Sequence, residues 1–204
     1  MNISILTSLI CLMFVTPSFA QSEPKMLVKT FSVNSSFALP PWSSNGDLTK
    51  TSEIFREQGK SGAGHELFIW ETIPKGESFE DWTKLYAITA EYPLTGDLEK
   101  YANGQVNRIT GACEKSAVQF SRTTPETVKL FVVYCESYKE RPDTGEIAFF
   151  NMQLRNKTLV KNYFHIRVPK FQIENFSEFP LSAEDIANSV SRVAALRLLS
   201  VTSE

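Results

Sequence analysis

The chain has 204 residues, 42% of them hydrophobic, and a formal net charge of −2 at pH 7. That composition is globular rather than disordered, and 15 phenylalanines supply ample core. With no basic excess the chain lacks the electrostatic footprint of a non-specific nucleic-acid binder, so no nucleic-acid partner is expected.

Residues 3–19 carry no charge and lead into Ser18-Phe19-Ala20, which puts small residues at the two positions that signal peptidase reads. The run is shorter than the roughly 20 residues that cross a bilayer. It predicts a signal peptide over 1–20 and a mature chain, 21–204, of the size of a single α+β domain, exported to the periplasm or the extracellular space. No Lys or Arg precedes the apolar run, a departure from the usual pattern. No later run is long enough to span a membrane, so no transmembrane segment remains after signal removal.

Cys11 leaves with the signal, and two thiols remain, Cys113 and Cys135. Their spacing is not the C-x-x-C of a redox pair. The only histidines, His65 and His165, are too far apart for a zinc motif, so no metal site is expected. In an oxidising compartment the pair predicts a structural disulfide, contributing about 3 kcal/mol in the chain-entropy model.

Residues 21–64 read as one early strand, a turn at Pro40-Pro41 and a loose loop through "REQGKSGAGH" (56–65). "HELFIWETI" (65–73) is a strand. "SFEDWTKLYAITAEYP" (78–93) fits two periods: Ser78-x-x-Asp81 resembles a capping box, while Trp82, Lys84, Tyr86 and Ile88 alternate. One helical turn leading into a strand is expected. "GDLEKYANGQVNRITGAC" (96–113) predicts a helix capped by Asp97, with Leu98, Tyr101, Gln105 or Val106, and Ile109 on one face, ending at Gly111.

The next fifty-odd residues carry three turn signals, "TTPE" (123–126), "PDTG" (142–145) and "NK" (156–157), which separate four strands of an antiparallel meander. A two-residue turn at Asn156-Lys157 pairs Arg155 with Thr158. Continued outward, it sets Phe150 opposite Tyr163, Phe149 opposite Phe164, Ala148 opposite His165, Ile147 opposite Ile166 and Glu146 opposite Arg167. The same bookkeeping for the preceding hairpin pairs Phe120 with Lys129 and Val118 with Phe131, and brings Cys113 near Cys135. "VKLFVVYCE" (128–136) is apolar on both faces, as a strand with neighbours on both sides should be. In "LSAEDIANSVSRVAALRLLSV" (181–201), Ser182-x-x-Asp185 is a capping box. Ile186, Val190, Val193 and Leu198 recur at helical spacing, predicting a C-terminal amphipathic helix packed on the sheet.

Most catalytic signatures fail on their own terms. "HELFI" has Ile69 where a zinc helix needs its second His. "GKSG" (59–62) lacks the first Gly of a phosphate loop, and no G-x-S-x-G elbow occurs. Asp143-Thr144-Gly145 carries the letters of an aspartic protease, but Pro142 precedes it and no second copy faces it; a turn accounts for it better. A Cys–His nucleophile needs a reduced cysteine near His165. Glu66, Glu71 and His65 form an acid–base group only if they converge, and in a strand only alternate residues share a face.

The best binding candidate is the mixed face of the last hairpin, Phe150, Met152, Lys161, Tyr163, His165 and Arg167, where aromatic bodies stand beside cationic tips. The competing reading has a helix covering the aromatics while Lys161 and Arg167 snorkel past it. "KFQIENFSEFP" (170–180) reads as an irregular connector that lids a sheet edge with its phenylalanines.

"IPKGESFEDWTKLY" (73–86), the meander of 116–168 and "SAEDIANSVSRVAALRLL" (182–199) together give a layout that resembles small exported bacterial proteins of the PsbP/Mog1-like fold. That resemblance implies an antiparallel sheet flanked by helices, and binding or assembly rather than catalysis; it carries over no functional residues. The expectation is therefore an exported non-catalytic domain that binds a partner protein or small ligand, without cofactors. The alternative is an exported hydrolase whose acid–base site gathers a carboxylate with His65 or His165.

Overall fold

From residue 25 onward the alternating pattern folds mostly as strands. The computed structural model describes residues 25–43, 46–122 and 124–200; the export signal expected over 1–20 lies outside them. In chain order come β1 (Lys25–Thr30), β2 (Val33–Ala38), a single turn α1 (Leu48–Thr51), β3 (Ser52–Lys60), β4 (Glu66–Pro74) and β5 (Lys84–Tyr92). They are followed by α2 (Leu98–Thr110), β6 (Cys113–Phe120), β7 (Val128–Tyr138), β8 (Thr144–Arg155), β9 (Thr158–Pro169), α3 (Ala183–Ala194) and β10 (Arg197–Ser200). Seven strands make one antiparallel sheet in the order β3-β4-β5-β9-β8-β7-β6, and three make a smaller one in the order β1-β2-β10.

The meander β6 to β9 supplies four of the seven strands of the large sheet. Asn156 and Lys157 both take positive φ, 49° and 62°, as a two-residue hairpin turn of the primed type requires. The pairing it sets is the expected one, from Arg155↔Thr158 through Phe150↔Tyr163 and Ala148↔His165 to Glu146↔Arg167. The preceding hairpin sits two residues away from the expected register, with Phe120 opposite Phe131 and Val118 opposite Val133. An irregularity around Lys115 then brings Cys113 to Cys135, and the disulfide joins them with Cα atoms 5.6 Å apart.

Alternate residues of β8 sort into two cores. Ile147 and Phe149 join Trp70, Tyr86, Ile88 and Phe164 on the inner face, closed by the small sheet (Val33, Phe37, Leu198) and by α3 (Val193). Ala148, Phe150 and Met152 join Phe131, Val133 and the cysteines on the outer face, beneath Leu98, Ala102 and Ile109 of α2. Asp97 caps α2 by accepting from the Glu99 N–H, and Gly111 ends it. Ser182 and Asp185 form the capping box of α3.

Four segments differ from the sequence reading. Residues 52–60 are not a loop but the edge strand β3, paired from Ser52↔Pro74 to Lys60↔Glu66. Its residues from Phe55 on are exposed, so no buried face marks them. Residues 78–81 do not form a helical turn: the Asp81 N–H meets the Ser78 hydroxyl at 3.1 Å, but only bends follow. The last helix stops at Ala194 and residues 197–200 pair with β2 as a strand. Polar side chains at every second position of β8 draw off the carbonyls there: Asn151 Nδ2 donates to Val193 O (3.0 Å), Gln153 Nε2 to Leu196 O (3.1 Å) and Arg155 Nη1 to Leu198 O (2.8 Å). The early region likewise holds a hairpin, β1 and β2, rather than one strand.

Candidate functional site

The outer face of the large sheet is only partly roofed. α2 lies over β6, β7 and β8 and ends at Gly111, and the disulfide two residues later ties that end to β7. Past the helix end opens a pocket of about 570 Å³. One wall is the last turn of α2 and the residues after it, Arg108, Ile109 and Ala112; the floor is Glu146 on β8 with His165 and Arg167 on β9. Trp82 closes one side, and the β7–β8 turn brings Tyr138, Lys139 and Arg141 over the other. Lys139 locks that turn to the helix end: its Nζ donates to Gly111 O at 2.8 Å and its backbone N–H to Ala112 O at 2.9 Å.

Glu146 is 3% exposed and takes His165 Nδ1 at 2.9 Å from Oε1. Burial pushes the Glu146 carboxyl up, but the His165 ring, a contact from Tyr138 and the Arg167 charge overcome it and hold the group below the usual carboxylate range. Burial first, and then the Glu146 charge, push the Tyr138 phenol well up, so it stays protonated. The His165 ring stands among Phe150, Tyr163 and Trp82, at centroid distances of 5.1, 5.2 and 6.3 Å. Its second nitrogen, Nε2, is buried there with no hydrogen-bond partner among the described residues.

Arg167 lies flat on Trp82, its Cζ 3.7 Å from the ring centroid, and Nη1 donates to Trp82 O at 3.2 Å. Its Nε is buried without a partner. Burial and then the Arg141 charge pull the Arg167 guanidinium down from its ordinary value, though an arginine stays cationic at any ordinary pH.

The six residues of the mixed face separate into four environments. Phe150 and Met152 are sealed beneath α2, and Phe150 stacks on Phe131 at 4.9 Å. Tyr163 donates its hydroxyl to Glu71 Oε1 at 2.6 Å; burial and then the Glu71 charge push the phenol up. Lys161 is half-buried with no hydrogen bond or ion pair among the described residues, and burial followed by the Arg108 charge pulls its amine down. His165 and Arg167 line the pocket. His65 sits elsewhere, with Nδ1 3.2 Å from Glu91 Oε1. The connector packs as a strap: Ile173 N–H donates to Glu136 Oε1 at 2.6 Å, and Phe171 meets Phe179 edge-on.

Trp82, Arg108, Tyr138, Lys139 and Arg141 escaped the sequence reading because they sit on a loop, a helix end and a turn. The available signal was the register itself, since extending Glu146↔Arg167 to the far end of the hairpin arrives at the 139–143 turn. Gly145 has a second reason besides the turn. A Cβ there would lie 2.7 Å from Glu136 O and 2.8 Å from the Phe171 ring, and it is Thr144 N–H that closes the turn onto Arg141 O. Asp143 is exposed in that turn.

Among the described residues no three His, Cys, Asp or Glu side chains gather closely enough to hold a metal ion, and no helix is long and apolar enough to cross a membrane. Comparison with family models, with characterised proteins and with solved structures yields no match.

Proposed function

We propose that this chain is an exported single-domain binding module that holds a small ligand in the pocket between the end of α2, Trp82 and the β7–β8 turn, without transforming it. The observation that carries this reading is the state of His165. A general base needs one ring nitrogen within hydrogen-bond reach of the substrate while the other is oriented by a carboxylate. Glu146 orients Nδ1 as a catalytic carboxylate does, but Nε2 is closed off by its aromatic neighbours. The carboxylate is likewise spent on His165 and buried. What the pocket leaves open is recognition: cationic tips and one aromatic wall, in a volume within the usual range for small-ligand sites. The buried disulfide supports residence in an oxidising compartment, and the PsbP/Mog1-like resemblance supports binding over catalysis.

A native mass spectrum of the protein recovered from its exported fraction, without reductant, tests the reading. The expected species starts at Gln21, is two hydrogens light and carries one small molecule per chain, which is released unchanged on denaturation. A second spectrum after prolonged incubation with that molecule decides between the two readings. Conversion into a product would establish the hydrolase and remove the binding-module reading.

A further inference from the structure

The pocket has a local charge imbalance of the sign opposite to that of the chain. Arg108, Lys139, Arg141 and Arg167 line it together with only two carboxylates, Glu140 and Glu146. That is an excess of two positive charges on a chain whose formal charge is −2. None of the four cations forms an ion pair within 4.0 Å among the described residues. Elsewhere, four lysines do reach a carboxylate: Lys50 with Asp47, Lys75 with Glu53, Lys115 with Glu174 and Lys129 with Glu99.

The unpaired state also costs something in place. Arg167 is held flat on Trp82 with a buried, unpartnered Nε, and feels the repulsion of Arg141 across the pocket. Bringing like charges together without a counter-charge is unfavourable, and an anion between them reverses the sign of the interaction. Guanidinium forks match carboxylate and phosphoryl oxygens two at a time, which water does not reproduce. Lys139 Nζ is engaged with Gly111 O at 2.8 Å, whereas Arg141 and Arg167, which each spend one Nη on a backbone carbonyl (Glu80 O at 3.4 Å and Trp82 O at 3.2 Å), keep further guanidinium donors.

We infer that the ligand of this pocket is a small organic dianion, carrying two carboxylates or one phosphoryl group, received by the guanidinium groups of Arg108, Arg141 and Arg167, with its body on Ile109 and Ala112. This inference rests on the pocket being the binding site and adds the chemical class of what binds. A dianion matches the local excess of two charges, whereas a neutral molecule leaves it uncompensated and a cation adds to it.

The experiment is a titration of the purified mature protein with three aromatic probes of similar size: phthalate and phenyl phosphate, both dianionic, and neutral phthalamide. The readout is the indole N–H resonance of Trp82, assigned with Trp82→Phe. Both dianions are expected to shift that resonance and to bind about tenfold or more tightly than phthalamide, with affinity falling as salt rises. Arg108→Gln and Arg141→Gln should each weaken the dianions about tenfold, while Lys50→Gln, on the single turn α1, leaves them unchanged. A preference for phthalate or for phenyl phosphate distinguishes planar carboxylate from tetrahedral phosphoryl recognition. Phthalamide shifting Trp82 at the same concentration as phthalate would overturn the dianion while leaving the pocket as the site. If no probe moves the resonance by about 10 mM, the dianion class is wrong, and the native mass spectrum alone then decides whether the pocket binds anything.

Discussion

The two faces of the seven-stranded sheet are built from the same strands and solve opposite problems. On the inner face a second sheet and α3 cover the surface together, and Trp70, Tyr86, Phe149 and Phe164 pack there beneath them. On the outer face a single helix of 13 residues has to roof the sheet, and it does not reach the end where Glu146, His165 and Arg167 stand. Along β9 the half-buried Lys161, Tyr163, His165 and Arg167 alternate with the buried Val160, Asn162, Phe164 and Ile166, because the outer side of that strand is only partly closed. Incomplete cover is what makes room for a site. The pocket lies where the roof stops, and the helix end, the disulfide and the β7–β8 turn fix its rim.

This contrast can be broken from either side. The largest effect is expected on the closed face. Phe149→Ala removes a fully buried ring that meets Phe164 at 6.1 Å and should cost about 4 kcal/mol in denaturant unfolding. A loss below about 1 kcal/mol would mean that the inner core is not continuous there. An intermediate effect is expected at the pocket floor. Glu146 has a carboxyl lowered against burial by its partners, so the folded state gains from its ionised form above the ordinary carboxylate range. That gain drains away as pH falls through the folded value. Glu146→Gln should cost about 2 kcal/mol at pH 7 and flatten the acid limb of the stability curve. An acid limb as steep as that of the wild type would show that Glu146 is not the group responsible.

The smallest effect has the opposite sign. Lys161 keeps its amine half-buried and unpaired, and its lowered value shows that the folded state disfavours the charge. Lys161→Met keeps the length of the chain and should stabilise the protein by about 1 kcal/mol at neutral pH, read as a raised Tm. Destabilisation instead would show that the amine finds a partner in solution.

What the sequence disclosed follows the same contrast. The β8–β9 pairing was legible because every pair in one register agreed, Phe149 with Phe164, Phe150 with Tyr163 and Glu146 with Arg167, and because Asn156-Lys157 fixed the turn. The β6–β7 register was displaced by two residues, since the connection between those strands is longer than the "TTPE" signal implied. An even displacement keeps every side chain on its face, and it is the irregularity around Lys115, not the register, that lets Cys113 and Cys135 meet. β3 was not legible because an exposed edge strand has no alternation to display. The end of α3 was hidden for a different reason. "VAALRLL" continues a helical period, and only its neighbours across the fold, Asn151, Gln153 and Arg155, end the helix there. The pocket was half legible: His165 and Arg167 stood on a face that the register defined, whereas Trp82, Arg108 and Arg141 reach it through tertiary placement that no local pattern encodes.

β2 carries one further consequence, for the order of events in the making of the protein. Its two neighbours in the small sheet are β1, a few residues away in the chain, and β10, which brings Ser200 opposite Val33. A ribosome delivers the first of these partners almost at once and the second only after the entire large sheet has been made. Until then the inner face of the nascent chain lacks both Leu196 and Leu198, which complete its cover. The protein is thus built to close last over its oldest residues, so its slowest contacts to form are also among the longest in sequence. Clipping the chain before Arg197 should leave that face ajar however well the meander has folded.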